Sequence, residues 1–100
     1  MRILAKSRLV AFWESSPAYA DSETPLTEWY RHFEKASYAT PQAIKEVFGT
    51  ASILKGGRIV FNIGGNKYRL IVAFDLERQM GFIKFVGTHT QYDNLDAENI

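Results

Sequence analysis

The sequence predicts an α+β fold, with N-terminal helices packed on one face of a small antiparallel β-sheet. Three observations lead to this prediction. Apolar residues recur at helical spacing in the first half of the chain, they alternate with polar residues after residue 57, and a glycine-rich turn divides the alternating part. Because the chain has 100 residues, we expect residues 1–100 to form one domain with a single modest core.

The first half of the chain predicts a short strand and then helices. Residues 2–5 are the predicted strand, and Ser7 is expected to cap a helix that runs to about Ser15 before a proline stops it. Thr24 and Pro25 have the order of a helix cap and a first helical residue. The helix that follows carries an apolar stripe, which is typical of a core face, with a partner groove as the alternative: Leu26, Trp29, Tyr30 and Phe33.

A third and shorter helix is predicted after Thr40-Pro41, which repeats the order of cap and proline. Its apolar residues are Ile44, Val47 and Phe48, and Gly49 closes it. A strand, then helices, then a run of strands is the order expected when helices cover one face of an antiparallel sheet.

The second half predicts a three-stranded meander over residues 58–63, 67–75 and 82–88. Gly64-Gly65-Asn66 is the predicted hairpin turn, because these residues accept positive φ. Alternation then assigns the side chains to two faces of the hairpin. Asn62, Lys67 and Arg69 share one face, and the apolar residues share the other: Ile59, Phe61, Ile63, Tyr68, Leu70, Val72 and Phe74.

The net charge of +1 conceals an uneven distribution of charge along the chain. Residues 1–49 carry six basic and six acidic side chains, whereas residues 50–92 carry six basic and only two acidic ones. The positive charge therefore belongs to the predicted sheet, and such a patch favours a polyanion. The alternative is that these are ordinary solvated strand residues that protect the sheet edges.

Two residues, one on the middle strand of the meander and one just after its last strand, are candidates for chemistry on a phosphodiester. His89 lies in a predicted turn, His89-Thr-Gln-Tyr92, and histidine can give or take a proton near neutral pH. It could also be an ordinary surface histidine. Arg69, on a central strand, needs a partner. That partner is either a carboxylate such as Asp75 or Asp93, or the phosphate of a bound ligand.

Four further residues complete the candidate site. Lys67 and Lys84 can act as point charges toward phosphate, although Lys84 and His89 share a face only if the strand twists between them. Tyr92 could stack on a base, or it could pack the C-terminal turn onto the core. Asn62 could contact ribose or phosphate, or it could satisfy the hairpin backbone.

Several classes of site are not predicted. Without cysteine the chain can form neither disulfides nor thiolate metal sites, which fits a reducing cytoplasm. His32 and His89 are not at ligand spacing, so we expect no metal and no cofactor. Basic residues interrupt the apolar N-terminal run, so no signal peptide is expected. No apolar window of about 18 residues predicts a membrane span.

Three segments of the chain carry a family likeness: residues 3–14, 60–70 and 85–93. The specific part is Asn-Ile-Gly-Gly-Asn-Lys-Tyr-Arg at 62–69, combined with Gly-Thr-His-x-x-Tyr-Asp at 87–93. Together with the helices at Trp29-Tyr30-Arg31 and Thr40-Pro41, this pattern covers nearly the whole chain. It resembles the HigB branch of the RelE-like toxins of bacterial toxin–antitoxin systems.

The resemblance implies a RelE-like fold and an endoribonuclease that cuts mRNA on the translating ribosome by attack of the ribose 2′-oxygen, without a metal. It also implies a helix-turn-helix antitoxin of the HigA type as a partner. Arg69 matches the arginine placed against the scissile phosphate. His89 and Tyr92 match the catalytic motif after the last strand. Asn62 stands where some ribosome-dependent members have a lysine.

Two other functions remain open on the sequence alone, because a fold does not fix a function. One is a non-enzymatic toxin of the same fold that binds a protein target such as gyrase, as ParE-like relatives do. The other is a catalytically silent RNA-binding module.

Overall fold

Five strands form one mixed sheet in the computed structural model, which describes all of residues 1–100. In chain order they are β1 (Arg2–Leu4), β2 (Ser52–Ile53), β3 (Arg58–Ile63), β4 (Tyr68–Asp75) and β5 (Met80–Thr88). Their order across the sheet is β1-β5-β4-β3-β2. The predicted antiparallel meander is β3, β4 and β5. Strand β1 pairs with β5 in parallel, so the sheet is not antiparallel throughout.

Four α-helices accompany the sheet: α1 (Ser7–Glu14), α2 (Glu23–Lys35), α3 (Pro41–Val47) and α4 (His89–Asp93). A 3-10 helix over Pro17–Ser22 joins α1 to α2. The α+β class predicted from the sequence is therefore confirmed. None of these helices combines the length and apolar character needed to cross a membrane.

Two of the predicted helix starts are wrong and one is confirmed. Ser7 is the first residue of α1 rather than its cap, and Lys6 before it offers no capping side chain. The second helix starts at Glu23, ahead of Thr24, because the 3-10 helix runs directly into it. Thr40 does cap α3, since its Oγ1 accepts a hydrogen bond from the Ala43 amide at 3.1 Å.

The core lies between the sheet and helices α1–α3, and aromatic rings form its centre. Phe33 from α2 meets Phe61 from β3 with ring centroids 5.6 Å apart, and Trp29 meets Phe61 at 5.4 Å. Leu26 is fully buried beside them, as the apolar stripe predicts. Val47, an apolar residue of the third predicted helix, is 57% exposed. Helix α3 is only seven residues long, and just its Ile44 side faces the core.

The hairpin of β3 and β4 has the predicted facing. Ile63 pairs with Tyr68, and Asn62 pairs with Arg69. The predicted apolar set from Ile59 to Phe74 therefore faces the helices. Asn62 and Arg69 lie on the opposite side together with the buried Val60 and Ile71, and we call this side the distal face. The C-terminal segment returns over the far end of this face, where Arg58 Nε donates to the main-chain oxygen of Ile100 at 2.9 Å.

The tip of the hairpin is tied to the 3-10 helix through Asp21. Its carboxylate accepts hydrogen bonds from the buried Tyr68 hydroxyl and from the ammonium group of Lys67. The Tyr68 hydroxyl also lies 3.2 Å from the carbonyl oxygen of Ala18. The hydrogen bonds from Lys67, and then from Tyr68, hold the pKa of Asp21 below its ordinary value. The ionised carboxylate is thus the form that fixes the turn.

We predict that Asp21→Asn lowers the melting temperature at neutral pH and that the deficit disappears in acid. A carboxyl group whose pKa is depressed by folding stabilises the protein above its unfolded pKa of about 3.9, and this contribution is lost as the pH falls through the folded value. Thermal unfolding followed from neutral pH to below about pH 4 measures the difference. Glu46→Gln on α3, an exposed residue outside any ion pair, is the control. An equal deficit at every pH would contradict the role of the charge.

Candidate functional site

Arg69 occupies the middle of the distal face. On its two sides in the sheet are Asn62 of β3 and Gly87 of β5. Its guanidinium donates to the Asn66 carbonyl at 3.1 Å, to the Asn66 side-chain oxygen at 2.8 Å and to the Tyr68 carbonyl at 3.2 Å. The side chain is only 8% exposed, so the hairpin turn fixes its position.

The charge of Arg69 has no carboxylate partner. The predicted alternative, an ion pair with Asp75 or Asp93, is wrong. Asp75 pairs with Arg78 at 2.8 Å, and Asp93 pairs with His89. The oxygens around the guanidinium are neutral amides, which satisfy its donors but do not compensate its charge. A nearly buried cation without a counter-ion attracts an anion strongly, because little water screens it.

The residues after β5 form helix α4, whereas the sequence analysis predicts a turn. Thr88 accepts a hydrogen bond from the Gln91 amide at 3.1 Å, and the Gln91 side chain accepts one from the Thr88 amide at 2.9 Å. This reciprocal capping box starts the helix directly at the end of the strand. A Cβ atom on Gly87 would lie 2.6 Å from the Gln91 Oε1 atom, so glycine lets α4 approach the sheet.

Helix α4 places three candidate side chains along one face. His89, Tyr92 and Asp93 stand at i, i+3 and i+4, so they lie on the same side of the helix. The Nδ1 atom of His89 is 2.9 Å from a carboxylate oxygen of Asp93, which leaves Nε2 available to a ligand. The guanidinium of Arg69 lies over the ring of Tyr92, 5.9 Å from its centroid.

Of the α4 residues, Tyr92 is in contact with Arg69, and His89 lies on the same side of the helix as Tyr92. The His89 side chain is 48% exposed, so a ligand can reach it. Tyr92 is half-buried and lies against Arg69. Asn62 lies directly opposite Arg69, and it also borders a cleft of about 320 Å³ between α2, α3 and the end of β3.

The two lysines do not join this group. Lys67 lies in the turn, and its ammonium group is directed to Asp21 and the Tyr68 ring rather than to the distal face. The prediction that it shares the face of Arg69 is wrong for the side chain, because a flexible lysine at the hairpin tip can reach around the edge. Lys84 lies beside α1, in a cleft that it shares with Arg8.

Two contributors to the site escaped the analysis of the sequence. Asn66 was assigned only to the turn, yet it supplies two of the acceptors that hold Arg69. Asp93 was considered for Arg69 and instead orients His89. The spacing of Thr88 and Gln91 is the pattern of a capping box. It could have predicted α4, and with it the approach of Asp93 to His89.

The arrangement suits chemistry on a phosphate group. A fixed cation can stabilise charge that develops on phosphate oxygens, and an oriented imidazole beside it can transfer a proton. The pairing of His89 with a carboxylate is the usual way to hold an imidazole in one tautomer. No three His, Asp or Glu side chains lie close enough together to hold a metal ion.

Comparison with known proteins gives one family. The model of the HigB toxin, described as the RelE-like toxic component of a toxin–antitoxin system, matches residues 22–95. The chain belongs to the HigB toxin family. A similar protein is the mRNA interferase toxin HigB of Escherichia coli K12, with 29% identity over 87% of this chain and 86% of that protein. The mRNA interferase HigB of Escherichia coli O6:H1 is 26% identical over 95% of this chain and 91% of its own length.

The region that matches the HigB family contains the whole candidate site, from Asn62 to Asp93. The matched region leaves out β1, which is the edge strand opposite β2, and α1, which packs beside β5. The expectation of a HigB-type toxin, drawn from residues 62–69 and 87–93, is thereby confirmed.

We predict that Gly87→Ala disturbs α4 and costs about 1–3 kcal/mol of unfolding free energy, as overpacking does. The new methyl group would meet the Gln91 Oε1 atom at 2.6 Å and the Phe85 ring at 2.5 Å, so Gln91 must leave the Thr88 amide. Urea denaturation gives the free energy of unfolding, and faster hydrogen exchange of the Thr88 amide reports the loss of its hydrogen bond to the Gln91 side chain.

Gly49→Ala is the control for this substitution, because no atom lies within 4 Å of its added Cβ. Unchanged exchange of the Thr88 amide in the Gly87→Ala protein would show that Gly87 is not needed for α4 to approach the sheet.

Proposed function

We propose that this chain is an mRNA interferase, the endoribonuclease of a type II toxin–antitoxin system. The observation that carries the proposal is the uncompensated cation of Arg69 against Tyr92 of α4, the short helix that also carries the His89–Asp93 pair. The relatives named mRNA interferase support it, at an identity of 29% or less. Arg69, His89 and Tyr92 are the proposed catalytic residues. Asn62, Lys67 and Lys84 are proposed to bind RNA.

The proposed reaction is an attack of the ribose 2′-oxygen on the adjacent phosphorus. The 2′-hydroxyl loses its proton, the new O–P bond forms, and the bond from phosphorus to the 5′-oxygen breaks. The products are a 2′,3′-cyclic phosphate and a 5′-hydroxyl end. The Nε2 atom of His89 takes or gives a proton in this sequence, and Arg69 stabilises the charge on the phosphorane-like transition state.

Tyr92 lies where its ring could stack on the nucleobase next to the cleaved bond. The Arg69 guanidinium lies over one side of this ring, 5.9 Å from the centroid, and an aromatic face of this kind also suits stacking on a nucleobase. Asn62, on the other side of Arg69, can donate to a ribose or phosphate oxygen. Lys67 is engaged with Asp21, so its contribution requires that ion pair to open.

The proposal includes the cellular setting that the resemblance implies. Residues 1–100 act as one RelE-like toxin domain in the cytoplasm. The ribosome orients the mRNA over the exposed His89, since positioning can contribute about 7–11 kcal/mol to catalysis. A helix-turn-helix antitoxin of the HigA type holds the toxin inactive. This assignment requires neither a metal nor a cofactor.

We predict that Arg69→Ala reduces mRNA cleavage by about 10²–10³-fold, because a preorganised donor to the developing charge is lost. His89→Ala should reduce it by about 10²–10⁴-fold, through loss of proton transfer. The measurement is cleavage in a translation extract, with the mRNA ends mapped by primer extension. Arg69→Lys keeps the positive charge. If it cleaves mRNA faster than Arg69→Ala does, the defect of the alanine variant comes from loss of charge rather than from failure to fold.

Arg78→Ala is the matched control, since Arg78 is exposed and pairs only with Asp75. The nuclease assignment fails if the wild-type protein makes no cuts, or if the Arg69 and His89 variants cut as well as the wild type does. Inhibition of gyrase supercoiling by a protein that makes no cuts would instead support the non-enzymatic toxin. Binding of RNA alone would support the silent RNA-binding module.

Asp93 provides a separate test of how His89 is positioned. We predict that Asp93→Ala lowers the cleavage rate by about tenfold or more, in the range seen when an orienting partner of an imidazole is removed. Asp93→Asn keeps an oxygen that can accept from Nδ1, so it should recover most of the rate if orientation is the role. Equal rates for the alanine and asparagine variants would show that the contact between Asp93 and the His89 ring does not position the imidazole.

A further inference from the structure

A second basic surface lies on the opposite edge of the sheet from β2, where α1 packs beside β5. It is an open cleft of about 390 Å³ with two cations at its rim and an apolar floor. Its lining residues are Arg8, Ala11, Phe12, Lys84, Phe85 and Val86. None of them is acidic. Neither Arg8 nor Lys84 takes part in any of the ion pairs of the protein.

A β-bulge directs Lys84 into this cleft. Along β4 and β5, Ile71 pairs with Phe85 and Val72 pairs with Ile83, so Lys84 is the extra residue that has no partner. Strand β1 covers β5 only from Met80 to Phe82, which leaves the outer edge at Lys84 open. Bulges at sheet edges commonly re-aim a side chain, and here the lysine is exposed beside α1.

Arg8 is fixed over the same edge. Its Nη1 atom donates to the carbonyl oxygen of Lys84 at 2.9 Å, which uses one of the five N–H groups of the guanidinium. The remaining donors stay available to a ligand. This hydrogen bond therefore holds the Arg8 guanidinium in place. The Lys84 ammonium group can move, so both cations can contact the same bound anion.

The start of α1 adds to the positive field at this cleft. The first turn of the helix contains no acidic residue, and no side chain caps it. Helix N-termini carry partial positive charge, so Asp or Glu normally stabilises this position. Arg8 in the first turn is a cation, so it adds to the positive charge of the helix N-terminus instead of compensating it. A site that concentrates cations in this way, with no acid to neutralise them, is complementary to a polyanion.

We propose that the cleft between Arg8 and Lys84 binds the phosphodiester backbone of RNA at a position away from the cleaved bond. The inference rests on the proposed nuclease function and extends it. A phosphate lies between the two cations, and the half-buried ring of Phe85 contacts a ribose or base. Lys84 is three residues along β5 from Gly87, the neighbour of Arg69, which is a distance of about 10 Å. The RNA is either the mRNA strand that is cut or ribosomal RNA.

Charge reversal tests this site. Binding of the wild type, Arg8→Glu and Lys84→Glu is measured at several salt concentrations with two ligands. One is a short single-stranded RNA with 2′-O-methyl riboses, which cannot be cut, and the other is purified ribosomes. We expect each variant to bind about tenfold more weakly, and the slope of log affinity against log salt to fall by about 0.7–1 for each lost contact. Arg31→Glu, an exposed arginine of α2 outside any ion pair, is the control.

The two ligands distinguish the source of the RNA. Weaker binding of the short RNA assigns the cleft to the mRNA strand, and weaker binding of ribosomes alone assigns it to ribosomal RNA. Unfolding would not explain a loss in Arg8→Glu, because an acidic residue in the first turn favours the helix. The inference is overturned if both variants bind both ligands like the control. Failure of the nuclease proposal is a different result, namely a wild type that binds RNA and makes no cuts.

Discussion

The register of the hairpin between β3 and β4 determines which side of the sheet carries Arg69 and Asn62. The turn places Ile63 opposite Tyr68, and a shift by one residue would exchange the two faces of the sheet. Gly64 and Gly65 make this turn possible, since their φ angles are +64° and +70°. The aromatic core then fixes one face of the hairpin, so Arg69 is forced onto the other.

The position of Arg69 has an energetic cost that the fold offsets only in part. The turn residue Asn66 and the strand backbone satisfy the donors of the guanidinium, yet no carboxylate balances its charge. Removing such a charge from water costs several kcal/mol unless a counter-ion is supplied. A phosphate group would supply it, and most effectively when its own negative charge increases in the transition state. The same feature that is unfavourable in the free protein is therefore favourable for catalysis.

Much of the architecture follows from short-range patterns in the sequence. The apolar stripe from Leu26 to Phe33 and the alternation through residues 58–63 predict α2 and β3, because burial of one face dictates each period. The parallel pairing of β1 was not predictable in the same way, since a three-residue strand has no period to reveal its neighbour. The bulge at Lys84 and the cap of α4 were missed because both depend on contacts across the sheet.

The family likeness selects fewer candidate residues than the charges do. Six basic residues lie within residues 50–92, but Arg69 is the one whose charged group lies against an α4 side chain. Lys67 has a nearer partner in Asp21, and Lys84 has a different neighbour in Arg8. Side-chain partners of this kind depend on tertiary packing, which a count of charges along the chain does not contain.

The central claim is that this site cleaves RNA through the ribose 2′-oxygen, with Arg69 and His89 acting on one phosphate. The most direct measurement is the chemistry of the fragment ends made by the wild-type protein on translated mRNA. The account predicts a 5′-hydroxyl on each downstream fragment and a 2′,3′-cyclic phosphate on each upstream fragment. A 5′-phosphate on the downstream fragments would mean that water, rather than the 2′-oxygen, attacks, and it would contradict the account.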